Sequence, residues 1–131
     1  MSKPFILCVD DDRTILMSLR AQLRYCLGTK FSYEIAESAE EAWEVINEIF
    51  DVGDELAVVI SDCLMPKVKG DALLIALHEK YPRVVKIMLT GHADPDVIER
   101  VNEKANLAAC LTKPWSKEDL VNIIKATLED K

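Results

Sequence analysis

The segment FILCVDDD, residues 5–12, decides the fold, because an unbroken apolar run that ends in carboxylates is typical of a buried parallel strand reaching a polar edge. Comparable runs recur at residues 56–60 and 107–111, and residues 84–89 form a similar run with Lys86 as its one polar residue. Residues 31–36 instead alternate between apolar and polar side chains, which predicts a strand with one wet face at the edge of the sheet.

Longer amphipathic stretches separate these runs. Residues 14–27 repeat apolar side chains at helical spacing, and Gly28 is a suitable helix terminator. Ser38 and Ser116 are predicted helix N-caps. Together the pattern predicts five strands alternating with five helices in one doubly wound α/β domain over residues 1–131. The sheet should be parallel, with helices on both faces. The remaining predicted helices cover residues 38–50, 71–81, 94–104 and 116–128.

Composition narrows the class of protein. The chain has 131 residues and a net charge of −7, and this acidity argues against direct nucleic-acid binding. It has no apolar run near the ~20 residues that a membrane span requires, and residues 1–9 are too short for a signal peptide. Four cysteines without C-x-x-C spacing are expected to be reduced thiols. We therefore expect a cytoplasmic protein without membrane partners.

Polar side chains stand where the predicted strands end. They are three carboxylates, one hydroxyl and one ammonium: Asp10, Asp11, Asp62, Thr90 and Lys113. Taken singly, each has an ordinary structural explanation as a helix cap, a turn residue or a surface residue, and we expect Asp12 to be only a cap. In open α/β sheets, however, ligands bind beyond the carboxyl ends of the strands. The joint placement therefore predicts one functional site.

Charge repulsion indicates what this site would hold. Two carboxylates ~4 Å apart near a protein surface repel by roughly 4 kcal/mol, so a positive partner is needed. Mg²⁺ prefers one or two carboxylates together with a phosphate, and Lys113 would add a fixed positive charge. An anionic nucleophile in such surroundings can accept an anionic phosphoryl group.

The motifs VDD at residues 9–11, DCLMP at 62–66 with Gly70, LTG at 89–91 and KPW at 113–115 resemble the receiver domains of two-component response regulators. The resemblance covers essentially the whole chain in the family order and spacing. It implies a flavodoxin-like (βα)5 fold with strand order 2-1-3-4-5. It also implies a phosphoacceptor switch that receives its phosphoryl group from a histidine kinase or phosphotransfer protein.

The resemblance also implies a role for each site residue. Asp62 would be the phosphoacceptor. Mg²⁺ would be held by Asp11 directly, by Asp10 mainly through water, by Asp62 and by the backbone carbonyl of Leu64. Thr90 would hydrogen-bond the phosphoryl oxygen and Lys113 would pair with the phosphoryl group. The Lys113–Pro114 peptide bond would be cis. Autophosphorylation from small phosphodonors and autodephosphorylation would both depend on Mg²⁺.

Two positions depart from the common receiver pattern. Cys110 stands where the family usually has an aromatic switch residue, so we expect signalling to rely on backbone movement around the fourth strand and the following helix. Leu64 is apolar and is expected to shield the acyl phosphate from water. We expect Leu64→Asn to change the lifetime of the phosphate.

Other functions stay open at this stage. A phosphohydrolase of the haloacid dehalogenase type uses a D-x-D motif after its first strand, which residues 10–12 spell, but no Gly-Thr follows that motif here and the sequence has no substrate-cap insertion. A degenerate docking module is the other alternative, although no acceptor, metal carboxylate or lysine is lost. A downstream effector protein or domain is expected, and the chain could be part of a larger protein. A homodimer could form through the fourth helix, fifth strand and fifth helix.

Overall fold

The structure, a computed structural model, describes residues 3–62, 70–91 and 95–129. Within these residues five strands form one sheet with the order β2-β1-β3-β4-β5, and every neighbouring pair is parallel. This confirms the predicted fold class and strand order. The strands are β1 (Phe5–Val9), β2 (Ser32–Ala36), β3 (Leu56–Asp62), β4 (Val85–Thr90) and β5 (Ala109–Thr112).

Helices connect the strands, and the described ones agree with the predicted stretches to within two residues at each end. None of the described helices is long and apolar enough to cross a bilayer. The helices are α1 (Arg13–Leu27), α2 (Ala39–Asp51), α3 (Gly70–Lys80), α4 (Pro95–Ala105) and α5 (Lys117–Glu129), with a short 3₁₀ turn at Gly28–Lys30.

Polar caps fix the helix ends near the sheet edge. The Asp12 side chain accepts hydrogen bonds from the backbone N–H groups of Thr14 (2.9 Å) and Ile15 (3.4 Å), so the predicted cap is confirmed. The Ser38 hydroxyl accepts from the Glu41 N–H at 3.1 Å, and Ser116 begins α5 in the same way. Gly28 follows α1 with φ +69°, a value that favours glycine.

Two strands differ from their predicted bounds by two residues at one end. β3 was expected to stop at residue 60, but Ser61 and Asp62 continue the ladder opposite β4. Asp62 is therefore the last residue of a strand rather than the first residue of a loop. β5 begins two residues later than predicted, because Asn106 takes a positive φ of 52° and the β4–β5 ladder begins at Ala109.

Buried side chains form two clusters, one on each face of the sheet. The first lies between the sheet and α2, α3 and α4, and the second, which we call the α1–α5 cluster, lies between the sheet and α1 and α5. Successive residues of one strand, such as Val58 and Val59, belong to different clusters. Both faces of the central strands are covered, which explains why their sequences are mainly apolar. The exception within β4 is Lys86, which is buried and donates a hydrogen bond to the Val84 carbonyl at 2.6 Å.

β2 forms one edge of the sheet, as its alternating sequence predicted. Phe31, Tyr33 and Ile35 pack against the α1–α5 cluster, whereas Glu34 is exposed. The Tyr33 hydroxyl donates a hydrogen bond to the Gly28 carbonyl at 2.8 Å, which ties the strand to the end of α1.

Candidate functional site

The carboxyl ends of β1 and β3 bring an acidic cluster together. Val9 pairs with Ser61 across the two strands, so Asp10 and Asp62 leave the sheet side by side. Side-chain oxygens of Asp10, Asp11 and Asp62 all lie within 4.8 Å of one another. Asp10 and Asp62 are only 2% and 6% exposed, while Asp11 is exposed. Two buried carboxylates and an accessible one therefore form a single cluster.

Lys113 supplies the positive charge that this cluster requires. Its ammonium lies 2.8 Å from Oδ2 of Asp10 and 3.3 Å from Oδ1 of Asp62. Burial by itself lowers the pKa of Lys113, but the hydrogen bond and charge of Asp10 and the charge of Asp62 outweigh it. The pKa therefore lies above its ordinary value of 10.5, and the side chain is an ammonium at neutral pH.

Asp10 is held on both of its oxygens. Oδ2 accepts from the Lys113 ammonium, and Oδ1 accepts from the backbone N–H of Asp12 at 2.9 Å. The same residue, Asp12, caps α1 through its side chain. The start of α1 therefore fixes the orientation of the Asp10 carboxylate.

Thr90 lies at the end of β4, beside β3 on one side and β5 on the other, and is 2% exposed. Its carbonyl oxygen accepts a hydrogen bond from the backbone N–H of Lys113 at 2.8 Å, which attaches the loop after β5 to the end of β4. The Lys113–Pro114 peptide bond in this loop is cis, as the resemblance implied.

All five side chains that the sequence placed at the strand ends belong to this edge of the sheet. The fourth protein ligand expected for Mg²⁺, the carbonyl of Leu64, lies outside the described residues, as does Cys63. Cys8, Cys26 and Cys110 are free thiols, as expected. Cys110 is half-buried and packs against the cluster formed with α2, α3 and α4.

Sequence reasoning missed one contact near the site. The indole Nε1 of Trp115 donates to Oε1 of Gln22 on α1 at 2.9 Å. These two residues are far apart in the chain, and neither helical periodicity nor the receiver motifs relate them. No signal in a single sequence would have found this pair.

The acidic cluster fits a hard divalent cation. Its three ligand groups are carboxylate oxygens, which are the donors that Mg²⁺ prefers, and the exposed Asp11 gives an ion access to the buried pair. The carboxylates of this site can bind a divalent cation. The cation and the Lys113 ammonium can then neutralise an incoming anionic group.

Comparisons with known proteins agree with this description. The family model of the response regulator receiver domain matches residues 6–125. A hydrogenase transcriptional regulatory protein, HoxA from Cupriavidus necator, is 29% identical over 127 residues, which are 95% of this chain and 24% of that protein. A receiver domain protein (CheY-like) from Methanospirillum hungatei superposes with a TM-score of 0.84 at 31% identity, covering 98% of this chain and 96% of that one. The signal receiver domain of an HD domain-containing protein from Pseudomonas fluorescens gives 0.86 at 28% identity, covering 98% and 97%.

The fold and the anionic pocket define a receiver-type α/β domain. The chain belongs to the response regulator receiver domain family of two-component systems. Members of this family are generally Mg-dependent and interact with histidine kinases and output domains. The chain spans a quarter or less of the first curated relatives that it matches.

Proposed function

We propose that this chain is a phosphorylation-controlled switch in which Asp62 accepts a phosphoryl group from a phosphohistidine. The observation that carries the proposal is the ammonium of Lys113 in contact with the carboxylates of both Asp10 and Asp62, with the exposed Asp11 carboxylate beside them. Phosphoryl transfer requires mainly positioning and charge neutralisation, and this cluster has groups for both.

We assign the nucleophile to Asp62, the residue in the phosphoacceptor position of the receiver motif at residues 62–66. Asp10 accepts on both oxygens, from Lys113 and from the Asp12 N–H, and is fixed as a supporting group. Asp62 ends β3 with Oδ1 at 3.3 Å from the ammonium. In the proposed step an oxygen of Asp62 forms a bond to phosphorus while the P–N bond to the donor imidazole breaks. The electron pair of that bond stays on the imidazole nitrogen, which takes a proton from water.

Lys113 and Thr90 then act on the transferred group. The ammonium, already beside Asp62, pairs with a phosphoryl oxygen, and Thr90 donates a hydrogen bond from the neighbouring strand end. Asp10, Asp11 and Asp62, together with the carbonyl of Leu64, are the proposed holders of Mg²⁺. The bound cation would neutralise charge on the phosphoryl oxygens. Attack of water on phosphorus later releases phosphate and restores the Asp62 carboxylate.

The switch itself must work without an aromatic ring at residue 110. Cys110 lies on β5 opposite Met88, and the next residue pair of that ladder joins Leu89 to Leu111. A thiol is too small to repeat the inward turn of a ring. We therefore propose that phosphorylation moves the backbone at the end of β4 and in α4. The changed face of α4, β5 and α5 would control a cytoplasmic effector protein or domain, or a second copy of the chain.

The decisive experiment is intact-protein mass after incubation with acetyl phosphate, with and without Mg²⁺. We expect a gain of one phosphoryl group that requires the metal and disappears in Asp62→Asn. Asp54→Asn is the matched control, since Asp54 precedes β3 at the opposite end of the sheet. A wild-type protein that gains no mass under any of these conditions would contradict the switch and support a docking module. Catalytic turnover of an unrelated phosphoester would instead support the hydrolase.

A further inference from the structure

We propose that Gln22 and Trp115 are positioning residues for Lys113. Their hydrogen bond holds the loop after β5 against α1, so that the ammonium stays at the distance from Asp62 that phosphoryl transfer needs. This inference rests on the proposed function and deepens it.

The contact has the geometry of a specific bond. The indole N–H of Trp115 donates to Oε1 of Gln22 at 2.9 Å, and both residues are half-buried. The amide nitrogen of Gln22 donates to the Ser18 hydroxyl one helical turn earlier, at 3.4 Å. Because the nitrogen of the amide faces Ser18, its oxygen is directed at the indole. The ring itself packs against the α1–α5 cluster.

The bond lies close to Lys113 in the chain. Only Pro114 separates Lys113 from Trp115. On the other side, the Lys113 N–H is attached to the Thr90 carbonyl at 2.8 Å. The loop is therefore held at two points, at the backbone of Lys113 on β4 and at the side chain of Trp115 on α1.

Helix α1 connects the two partners of the ion pair. At its start, the backbone N–H of Asp12 donates a hydrogen bond to Asp10. In its middle, Gln22 accepts a hydrogen bond from Trp115 in the loop after β5. The separation between the Lys113 ammonium and the Asp10 carboxylate is thus set from one helix, while Asp62 is fixed by β3. A half-buried indole N–H without its acceptor would turn toward water, and the loop would follow it. Small misplacements of a charged group reduce catalysis strongly.

The test measures the rate of phosphorylation of Asp62 by acetyl phosphate at saturating Mg²⁺. Gln22→Met keeps the length of the side chain and removes the acceptor, and Trp115→Phe keeps a ring and removes the donor. We expect each substitution to lower the rate about fivefold, which is the change that corresponds to the loss of one hydrogen bond. Because both substitutions remove the same bond, the double variant should be no slower than either single variant. Gln22→Glu keeps an acceptor oxygen and should restore most of the rate. Trp43→Phe, at the other tryptophan of the chain, is the matched control and should react like wild type.

Two further readouts separate positioning from a merely structural role. The dissociation constant for Mg²⁺ should fall in Gln22→Met and not in Trp43→Phe, because a displaced ammonium competes less with the cation for Asp10 and Asp62. In a Lys113→Ala background, Gln22→Met should have no additional effect on the rate. An undiminished effect in that background would overturn the inference, since the bond would then act independently of Lys113.

The outcomes also separate this inference from the proposed function. If wild type is phosphorylated on Asp62 and Gln22→Met reacts at the same rate, only the positioning role fails. If wild type takes up no phosphoryl group, both fail. Circular dichroism of each variant verifies that it is folded, and Trp115→Phe removes the same hydrogen bond from the other side if Gln22→Met does not fold.

Discussion

Replacing Lys113 by methionine should destabilise the domain by removing the cation between two buried carboxylates. At an effective dielectric constant of about 20, the ammonium attracts the Asp10 oxygen at 2.8 Å by about 6 kcal/mol and the Asp62 oxygen at 3.3 Å by about 5 kcal/mol. Most of this attraction offsets the desolvation of the three charges. The Lys113 side chain keeps 19% of its exposure, so we expect a net loss of about 3 kcal/mol, the lower end for breaking a buried ion pair.

The variant also leaves the carboxylates facing each other. Oxygens within 4.8 Å repel by about 3.5 kcal/mol or more under the same assumption. In Lys113→Met, a further Asp10→Asn change should therefore recover stability, whereas Asp10→Asn alone should reduce it because it weakens the ion pair. Saturating Mg²⁺ should recover stability as well, since the ion binds the folded site and replaces the missing charge.

The assay is urea unfolding at neutral pH in EDTA and in Mg²⁺, followed by circular dichroism. Lys125→Met is the matched control, because Lys125 is exposed on α5, and it should change the free energy of unfolding by less than about 0.5 kcal/mol. The reasoning would be refuted by a Lys113→Met protein as stable as wild type in EDTA. It would also be refuted if Asp10→Asn had the same effect with and without Lys113.

Three smaller perturbations test other parts of the fold. Removing the α1 cap with Asp12→Ala should lower the free energy of unfolding by about 1 kcal/mol in urea, and an unchanged midpoint would contradict the capping role. Tyr33→Phe should cost a similar amount, about 1 kcal/mol, through loss of the bond to the Gly28 carbonyl; a neutral result in the same assay would mean that the edge strand is fixed by packing alone. Burial raises the pKa of the Cys8 thiol from its ordinary value of 9.0 to about 12, so the unfolded chain loses this proton first as the pH rises. Between pH 9 and the raised pKa of Cys8, the free energy of unfolding should fall with pH more steeply in wild type than in Cys8→Ala, by about 1.4 kcal/mol per pH unit. Parallel curves of unfolding free energy against pH for the two proteins would exclude this effect.

Much of the fold was predictable because burial on both faces leaves a distinct pattern in the sequence. The apolar runs that became β1 and β4 were located to within one residue, and the alternation that put Phe31 and Tyr33 on one face placed β2 at the edge. The start of β5 was less predictable. Leu107 is apolar because it packs against the core, yet the ladder begins only at Ala109. Apolar character reports burial, and it does not report where hydrogen bonding between strands begins.

The candidate site was predictable as a set but not in its geometry. Parallel strands place all their carboxyl ends on one edge, so the convergence of Asp10, Asp62 and Lys113 followed from the topology. Asp10 accepts one hydrogen bond on each carboxylate oxygen, and these two contacts depend on the rotamer of Lys113 and on the position of the Asp12 N–H. The bond between Gln22 and Trp115 joins two residues whose individual environments are ordinary. Such pairwise contacts are decided by packing and leave no local signal.

The order in which the site residues occur along the chain has a consequence for the protein during its synthesis. The ribosome makes β1 and β3, with all three carboxylates of the acidic cluster, well before it reaches Lys113. A nascent chain that has paired these two strands therefore carries the negative pocket without the residue that neutralises it. During this interval a cation from the surrounding solution would relieve the repulsion. The internal lysine then takes over this task when the last strand joins the sheet.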